Sequence, residues 1–367
     1  MCQSPGWIRI GPSCTTPLGA PPALDRCRED VTVEAIETPG EMRELRGAWR
    51  ELEESVASLN PFLTWDWQWS WWEVFGESHQ PHILLVRDGD ELVGLVPLCA
   101  TLDQPGHLLF GGGINLSDRL GFLHKEGEEA AVARAALEWA TSRFAAALTL
   151  DLHFLPADST SLGALKAAAT ELGLSLQVTP EEVCPGLNLA PDFDAYLATQ
   201  LDKKDRHELR RKFRRLDQER AGWRMVTQEE LGVEAALEQF LKLLGASGAH
   251  KEAFLVPEVR EFFRRIAARL AARGWLRLRL LESQGELLAG IFGFTLGGSW
   301  HLYNSGYDPS FATLSPGLLC VAEGIREAIA EGCSRADLLR GGEPYKYRLG
   351  AVDEQLVRLQ ITPGSSL

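Results

Sequence analysis

Apolar residues recur along this chain with two periods, and the order in which those periods alternate is repeated. From His82 to Thr101 (HILLVRDGDELVGLVPLCAT), two apolar runs around an Asp88-Gly89 turn predict a β-hairpin. Leu276 to Leu296 (LRLRLLESQGELLAGIFGFTL) has the same form, with its turn at Gln284-Gly285. The second arms, Glu91-Leu-Val-Gly94 and Glu286-Leu-Leu-Ala-Gly290, correspond with one residue inserted. After the first hairpin the pattern predicts a strand near 108–110, a Gly-rich loop, a helix over about 127–144 and a strand at 148–154. After the second it predicts a strand at 299–305, a loop, a helix over about 316–331 and a short strand at 336–339.

The helices rest on spacing. Leu318, Val321, Ala322, Ile325 and Ile329 fall on one face, with Pro316 suited to the first turn and Gly332 to the stop. Leu162, Leu165, Ala169 and Leu172 make a similar stripe, as do Phe262, Phe263, Ile266 and Leu270 before Gly274. The repeated order (helices, hairpin, strand, helix, strand) predicts a duplicated α/β (α+β) unit, with its boundary near Pro180–Pro191. Residues 1–30, rich in Pro, Gly, Ser and Thr and without an apolar core segment, read as a disordered leader that carries no fold.

Composition narrows the class. The 367 residues are 45% hydrophobic and 24% charged, ordinary for a globular protein and wrong for a disordered, collagenous or disulfide-stapled one. No run approaches the ~18 apolar residues of a membrane span. Seven cysteines, odd in number and without a C-x-x-C, fit a reducing, cytoplasmic compartment. Scattered histidines without paired spacing predict no metal site, and neither a G-x-S-x-G nor a P-loop is present. The net charge of −14 argues against DNA binding. Against it stands Lys203–Arg215, with eight basic and two acidic residues, net +6. Leu209, Phe213 and Leu216 make this run an amphipathic helix with a cationic face. Three readings of that face are open: a solvated or internally paired surface, a site for an anionic ligand such as cofactor phosphates or a glycan, and an RNA contact.

Two segments carry unusual chemistry. Trp65, Trp67, Trp69, Trp71 and Trp72 place five of eleven tryptophans within eight residues, as a stacking platform for a sugar or base or as a core stripe. Tyr303, Tyr307, Tyr345 and Tyr347, four of the five tyrosines, lie within one 45-residue stretch of the C-terminal half. They stand within Trp300-His-Leu-Tyr-Asn-Ser-Gly-Tyr-Asp-Pro309, Leu314-Ser-Pro-Gly-Leu-Leu319 and Asp337-Leu-Leu-Arg-Gly-Gly-Glu-Pro-Tyr-Lys-Tyr-Arg348.

These three segments, with Asn60-Pro-Phe-Leu-Thr-Trp-Asp-Trp67, resemble the tandem-GNAT acyltransferases of the CelD-like (cellulose biosynthesis) group, relatives of the Fem peptidyltransferases. The resemblance spans about residues 31–360. It implies two tandem GNAT-like units, 31–185 and 186–362, each a mixed, mostly antiparallel sheet flanked by helices. It also implies that the C-terminal unit binds acetyl-CoA or another acyl-CoA as co-substrate. In such a unit the pyrophosphate lies on a helix N-terminus, where free N–H groups and the helix dipole favour an anion. That places Ser315, Gly317 and Leu318 at the cofactor, with the Ser315 hydroxyl as cap or contact, and Arg340, Lys346 and Arg348 as candidate partners for its charges. The loop departs from the usual Arg/Gln-x-x-Gly-x-Gly/Ala pattern, having one glycine and a proline. In the first half, Gly127-Glu128-Glu129 puts carboxylates at the equivalent helix start, which repels phosphate.

The implied reaction is direct attack of an amine or hydroxyl on the thioester. Tyr307 or Tyr345 would protonate the leaving thiolate, and Glu343 or Asp308 would accept the acceptor's proton. Trp65, Asp118, His301 and Tyr303 are candidate substrate-binding residues, and a small molecule or glycan is the expected acceptor. Two other readings stay open: an aminoacyl-tRNA-dependent peptidyl transferase of the Fem kind, and an inactive tandem fold serving as a binding module in polysaccharide assembly.

Overall fold

The computed structural model describes residues 31–56 and 59–364. The expected leader, with Cys2, Cys14 and Cys27, lies outside the described residues. The strands are β1 (Val31–Ile36), β2 (His79–Asp88), β3 (Glu91–Thr101), β4 (His107–Phe110), β5 (Leu123–His124), β6 (Thr149–Pro156) and β7 (Ser175–Asn188). In the second half they are β8 (Arg224–Thr227), β9 (Leu276–Ser283), β10 (Glu286–Leu296), β11 (Ser299–Tyr307), β12 (Arg335–Asp337) and β13 (Val352–Thr362).

All belong to one mixed sheet ordered β1-β2-β3-β4-β6-β13-β7-β12-β11-β10-β9-β8, with β5 paired to β3. Only β4–β6 and β11–β12 are parallel. The two ends mirror each other. Each begins with a short edge strand and a hairpin, then a strand and its parallel neighbour. In the middle the halves exchange their last strands: β13 pairs with β6 of the first half, and β7 pairs with β12 of the second. β7 and β13 bind each other from Val352↔Gly186 to Thr362↔Ser175. Most of the Pro180–Pro191 segment is therefore strand, since β7 runs through it to Asn188.

Helices cover both faces. The tryptophan-rich helix Trp65–Phe75 is N-capped by Thr64, whose Oγ1 accepts from Trp67 N. All five of its tryptophans are buried, so the core-stripe reading holds. Trp67 meets Phe262, on the helix Pro257–Ala272, edge to face at 5.2 Å. Arg269 of the latter helix donates to Ser70 Oγ at 2.7 Å and to Glu73 Oε2 at 2.7 Å, which ties the halves together. The helix Pro316–Ala330 lies close against β10 and β11: a Cβ on Gly324 would sit 2.7 Å from Ile291 Cδ1 and 2.8 Å from Trp300 Cζ2. Its buried face runs through Leu319, Val321, Ala322, Ile325 and Ile329, whereas Leu318 is half-buried.

Candidate functional site

β11 and β12 pair only at Ser299–His301 with Arg335–Asp337. Beyond this, β11 continues beside β10 to Tyr307, while the chain after β12 follows β7 instead. Leu338 N donates to Pro185 O at 2.9 Å, and Gly341 N to Val183 O at 2.9 Å. The divergence opens a cavity of about 750 Å³ in the second half. It gathers Asp118, Tyr303, Tyr307, Ser315, Gly317, Leu318, Arg340, Glu343, Tyr345 and Lys346, residues drawn from four separate stretches of sequence.

The helix Pro316–Ala330 points its N-terminus at this space. Pro316 has no N–H, so Gly317 and Leu318 supply the first-turn donors that have no intrahelical acceptor. Ser315 is left-handed (φ 55°) and its side chain makes no capping bond; its Oγ accepts from Lys212 Nζ at 2.6 Å instead. Lys212 belongs to the basic helix Lys203–Glu219, which buries Leu209 and Leu216. Arg215 of the same helix donates to Thr313 O at 3.0 Å. The cationic helix thus docks against the turn that delivers the N-terminal end of Pro316–Ala330. Part of its charge is neutralised, by Arg211–Glu208 at 2.7 Å and the Arg215–Glu219 pair at 2.6 Å, while Lys203, Lys204 and Arg214 are exposed.

The opposite wall comes from the loop after β12. Lys346, 2% exposed, donates to three carbonyls, Leu339 O and Arg340 O at 2.9 Å and Gly341 O at 2.8 Å. All three of its protons are thereby used, so Lys346 clamps the loop; it is not a free phosphate ligand. That clamp holds a turn in which Leu339 has φ 56° and Gly341 φ 106°. Arg348 is exposed and is not among the residues lining this cavity. Arg340 reaches back to the first half: its Nε lies 3.3 Å from Asp118 Oδ1, and its Nη1 donates to Ile114 O at 2.8 Å.

Asp118 is 7% exposed and faces the cavity. Burial pushes its carboxyl up to about 6, with Arg340 and Lys346 pulling the other way. A carboxylate so placed can take a proton near neutral pH. Glu343, at the cavity rim, is 3.0 Å from Lys346 and more than half exposed. Asp308 is not a cavity residue; its Oδ1 accepts from Ser310 N and Ser310 Oγ at 2.8 and 2.7 Å. Tyr307 and Tyr345 both line the space, and burial raises the Tyr345 hydroxyl, which keeps it a proton donor. Tyr303 also lines it, but its hydroxyl is committed to Leu116 O at 2.8 Å.

Two candidates fall elsewhere. Trp65 lines neither cavity; it stacks on Trp69 at 5.8 Å beneath the guanidinium groups of Arg46 and Arg269. His301 lines a second cavity rather than this one. The sequence reading missed Lys251 and His250, which enter from the short helix Ala249–Phe254. Lys251 Nζ donates to Ser305 O at 2.6 Å, and burial lowers its pKa. Their only sequence signal is the Gly245–Gly248 turn between two amphipathic helices, which says nothing of what it faces.

The glycine loop of the first half does different work. Cβ atoms on Gly112 and Gly113 would lie 2.7 Å from Gln68 Nε2 and 2.3 Å from Trp71 Nε1. With φ of 93° and 76°, these glycines let the loop pack on the tryptophan helix, filling that region with side chains. Among the described residues, no cluster of three or more His, Cys, Asp or Glu is placed to hold a metal ion, and no helix is long and apolar enough to cross a membrane.

A sheet whose parallel neighbours diverge over a helix N-terminus agrees with the sequence comparison: residues 203–347 match the family described as acetyltransferase (GNAT) domain. The whole fold is similar to that of FemX, at 11% identity and TM-score 0.62, over 86% of this chain and 95% of that one. It is also similar to a conserved protein of unknown function from Bacteroides thetaiotaomicron, at 14% identity and TM-score 0.54, over 90% and 100%. No curated protein matches the chain by sequence.

Proposed function

We propose that this protein is a cytoplasmic tandem acyltransferase of the CelD-like kind, with units at 31–185 and 186–362. It moves an acyl group, acetyl in the simplest case, from acyl-CoA to an amine or hydroxyl acceptor by direct attack on the thioester. The carrying observation is the 750 Å³ cavity, where the N–H groups of Gly317 and Leu318 stand beside the docked basic helix. Helix dipole, free donors and Lys212 together favour a pyrophosphate there. Asp118 takes the proton from the acceptor as it attacks, and Tyr307 or Tyr345 returns one to the thiolate; the carbonyl–sulfur bond breaks as the new amide or ester forms.

Acetyl-CoA titrated calorimetrically into wild type and Gly317→Glu tests the reading. Micromolar-to-millimolar binding lost in the variant supports it, and equal affinity in both would place the cofactor elsewhere. The peptidyl-transferase reading has one observation in its favour, the exposed Lys203, Lys204 and Arg214 on the helix whose Lys212 meets Ser315. A chain that ignores acetyl-CoA but binds aminoacyl-tRNA, with a strong salt dependence, would establish it.

A further inference from the structure

A second cavity of about 710 Å³ lies between the halves, next to the first. Successive residues divide between the two spaces: Asp118 faces one and Arg119 the other, as do Leu338 and Asp337. The wall between them is a pair of crossed ion pairs, Asp118–Arg340 at 3.3 Å and Arg119–Asp337 at 2.8 Å, each linking one half to the other.

Behind this wall stands His301. It is 7% exposed, its ring stacks on Phe294 at 5.2 Å, and neither ring nitrogen has a hydrogen-bond partner in the protein. Arg119 Nε is likewise unpartnered. A buried imidazole with both nitrogens unmatched is costly unless a ligand meets them. Burial holds His301 down to about 4, with Asp337 opposing and Arg119 and Arg335 assisting, so it is neutral at pH 7 and offers one donor and one acceptor.

The charges around it define the ligand. Arg119 bridges Asp337 and Glu354, both at 2.8 Å, and Arg335 also pairs with Glu354, so these four groups sum to zero. What remains at the rim is acidic, Glu126 and Glu129, with His124 3.7 Å from Glu129. Glu129 opens the helix Glu129–Phe144 and puts a carboxylate in its first turn, where it would repel a phosphate. A phosphorylated ligand is disfavoured and a cationic one favoured. Leu63 and Phe122 add an apolar surface for C–H faces, and the neutral His301 and the Arg119 Nε–H add hydrogen-bonding groups for hydroxyls.

We propose that this cavity binds an unphosphorylated, amine-bearing polyhydroxyl compound, an amino sugar in the simplest case, with His301 reading a hydroxyl. As the seat of the acceptor it rests on the acyl-transfer reading; as a binding site it does not. The test uses ring-labelled histidine NMR on the full chain without acyl-CoA, with glucosamine as probe and glucosamine 6-phosphate as control. Glucosamine should shift the His301 ring signals saturably, in the millimolar range. His301→Phe, which keeps the stack on Phe294, should weaken binding by roughly tenfold, as for one lost hydrogen bond. His301→Gln, which keeps a donor and an acceptor, should recover part of it. No saturable His301 shift, or equal binding of the 6-phosphate, overturns the proposal. Glucosamine binding without any acetyl-CoA binding would leave this site standing and remove the donor reading; the reverse result would remove this site alone.

Discussion

Asp118→Asn tests whether the wall between the cavities holds a carboxyl against its own solvation. In the folded chain this group titrates near 6, against 3.8 for an ordinary aspartate, because burial outweighs the attraction of Arg340. Between those two values the native state binds more protons than the unfolded one, so stability falls as pH rises through the window. Below it both states are protonated and the group costs nothing; above it the full penalty applies. At about 1.4 kcal/mol per pH unit the penalty is on the order of 3 kcal/mol. Asparagine cannot titrate and carries no such term. Urea unfolding of both proteins from about pH 3 to pH 7.5 isolates it, since the other titrating groups largely cancel in the difference. Wild type should lose about 3 kcal/mol relative to the variant across that range. A difference that stays constant with pH would refute the argument that Asp118 is a buried, reluctant carboxylate. If it is also the proton acceptor, the variant should lose about 10²–10⁴ in rate toward any amine the enzyme acylates.

Other consequences follow from the same contacts. Arg119→Met leaves Asp337 buried without its cation and should cost about 3–5 kcal/mol in urea unfolding; Arg119→Met with Asp337→Asn should recover much of this, since asparagine still accepts from Leu339 N. Trp65→Ala should cost about 3–5 kcal/mol yet leave acetyl-CoA affinity unchanged, whereas a ligand-stacking tryptophan would lose affinity first. Lys346→Met should strip three buried carbonyls of their donor, lowering thermal stability and weakening acetyl-CoA binding at every salt concentration. A purely electrostatic role would instead show an effect that salt erases.

What was legible in the sequence was whatever depends on periodicity. The hairpins at Asp88-Gly89 and Gln284-Gly285 and the helix beginning at Pro316 stand where the apolar spacing put them, because each is decided within its own window of residues. Strand exchange was not legible. β7 lies across the segment read as the boundary between units and β13 beyond the last predicted strand, and nothing local says which half each will join. The same blindness divides the site. Tyr307, Gly317 and Glu343 are close in sequence and were found together, whereas Lys251 and His250 arrive from a turn between helices with no motif of its own. Lys346 and Arg348 looked alike as basic residues after a Gly-Gly turn. Only burial separates them, one spending its charge on three carbonyls and the other standing in solvent.

The two halves share a topology but differ in what fills the place where their parallel strands separate. In the first half Gln68 and Trp71 press on the Gly111–Gly113 loop, and the helix that follows begins with Glu129. In the second half the equivalent helix begins Pro316-Gly317, small and uncharged, and the strongest cationic segment of a chain of net charge −14 is docked beside it. The opening in the second half is therefore a cavity, and that in the first half is occupied by side chains. The first half contributes Asp118 and Arg119 to the space between them, the first toward the cavity at Gly317 and the second toward a cavity with an acidic rim. Direct attack requires the amine within about 3–3.5 Å of the thioester carbonyl, so transfer between ligands in these two spaces requires one of them to reach past the Asp118–Arg340 and Arg119–Asp337 pairs.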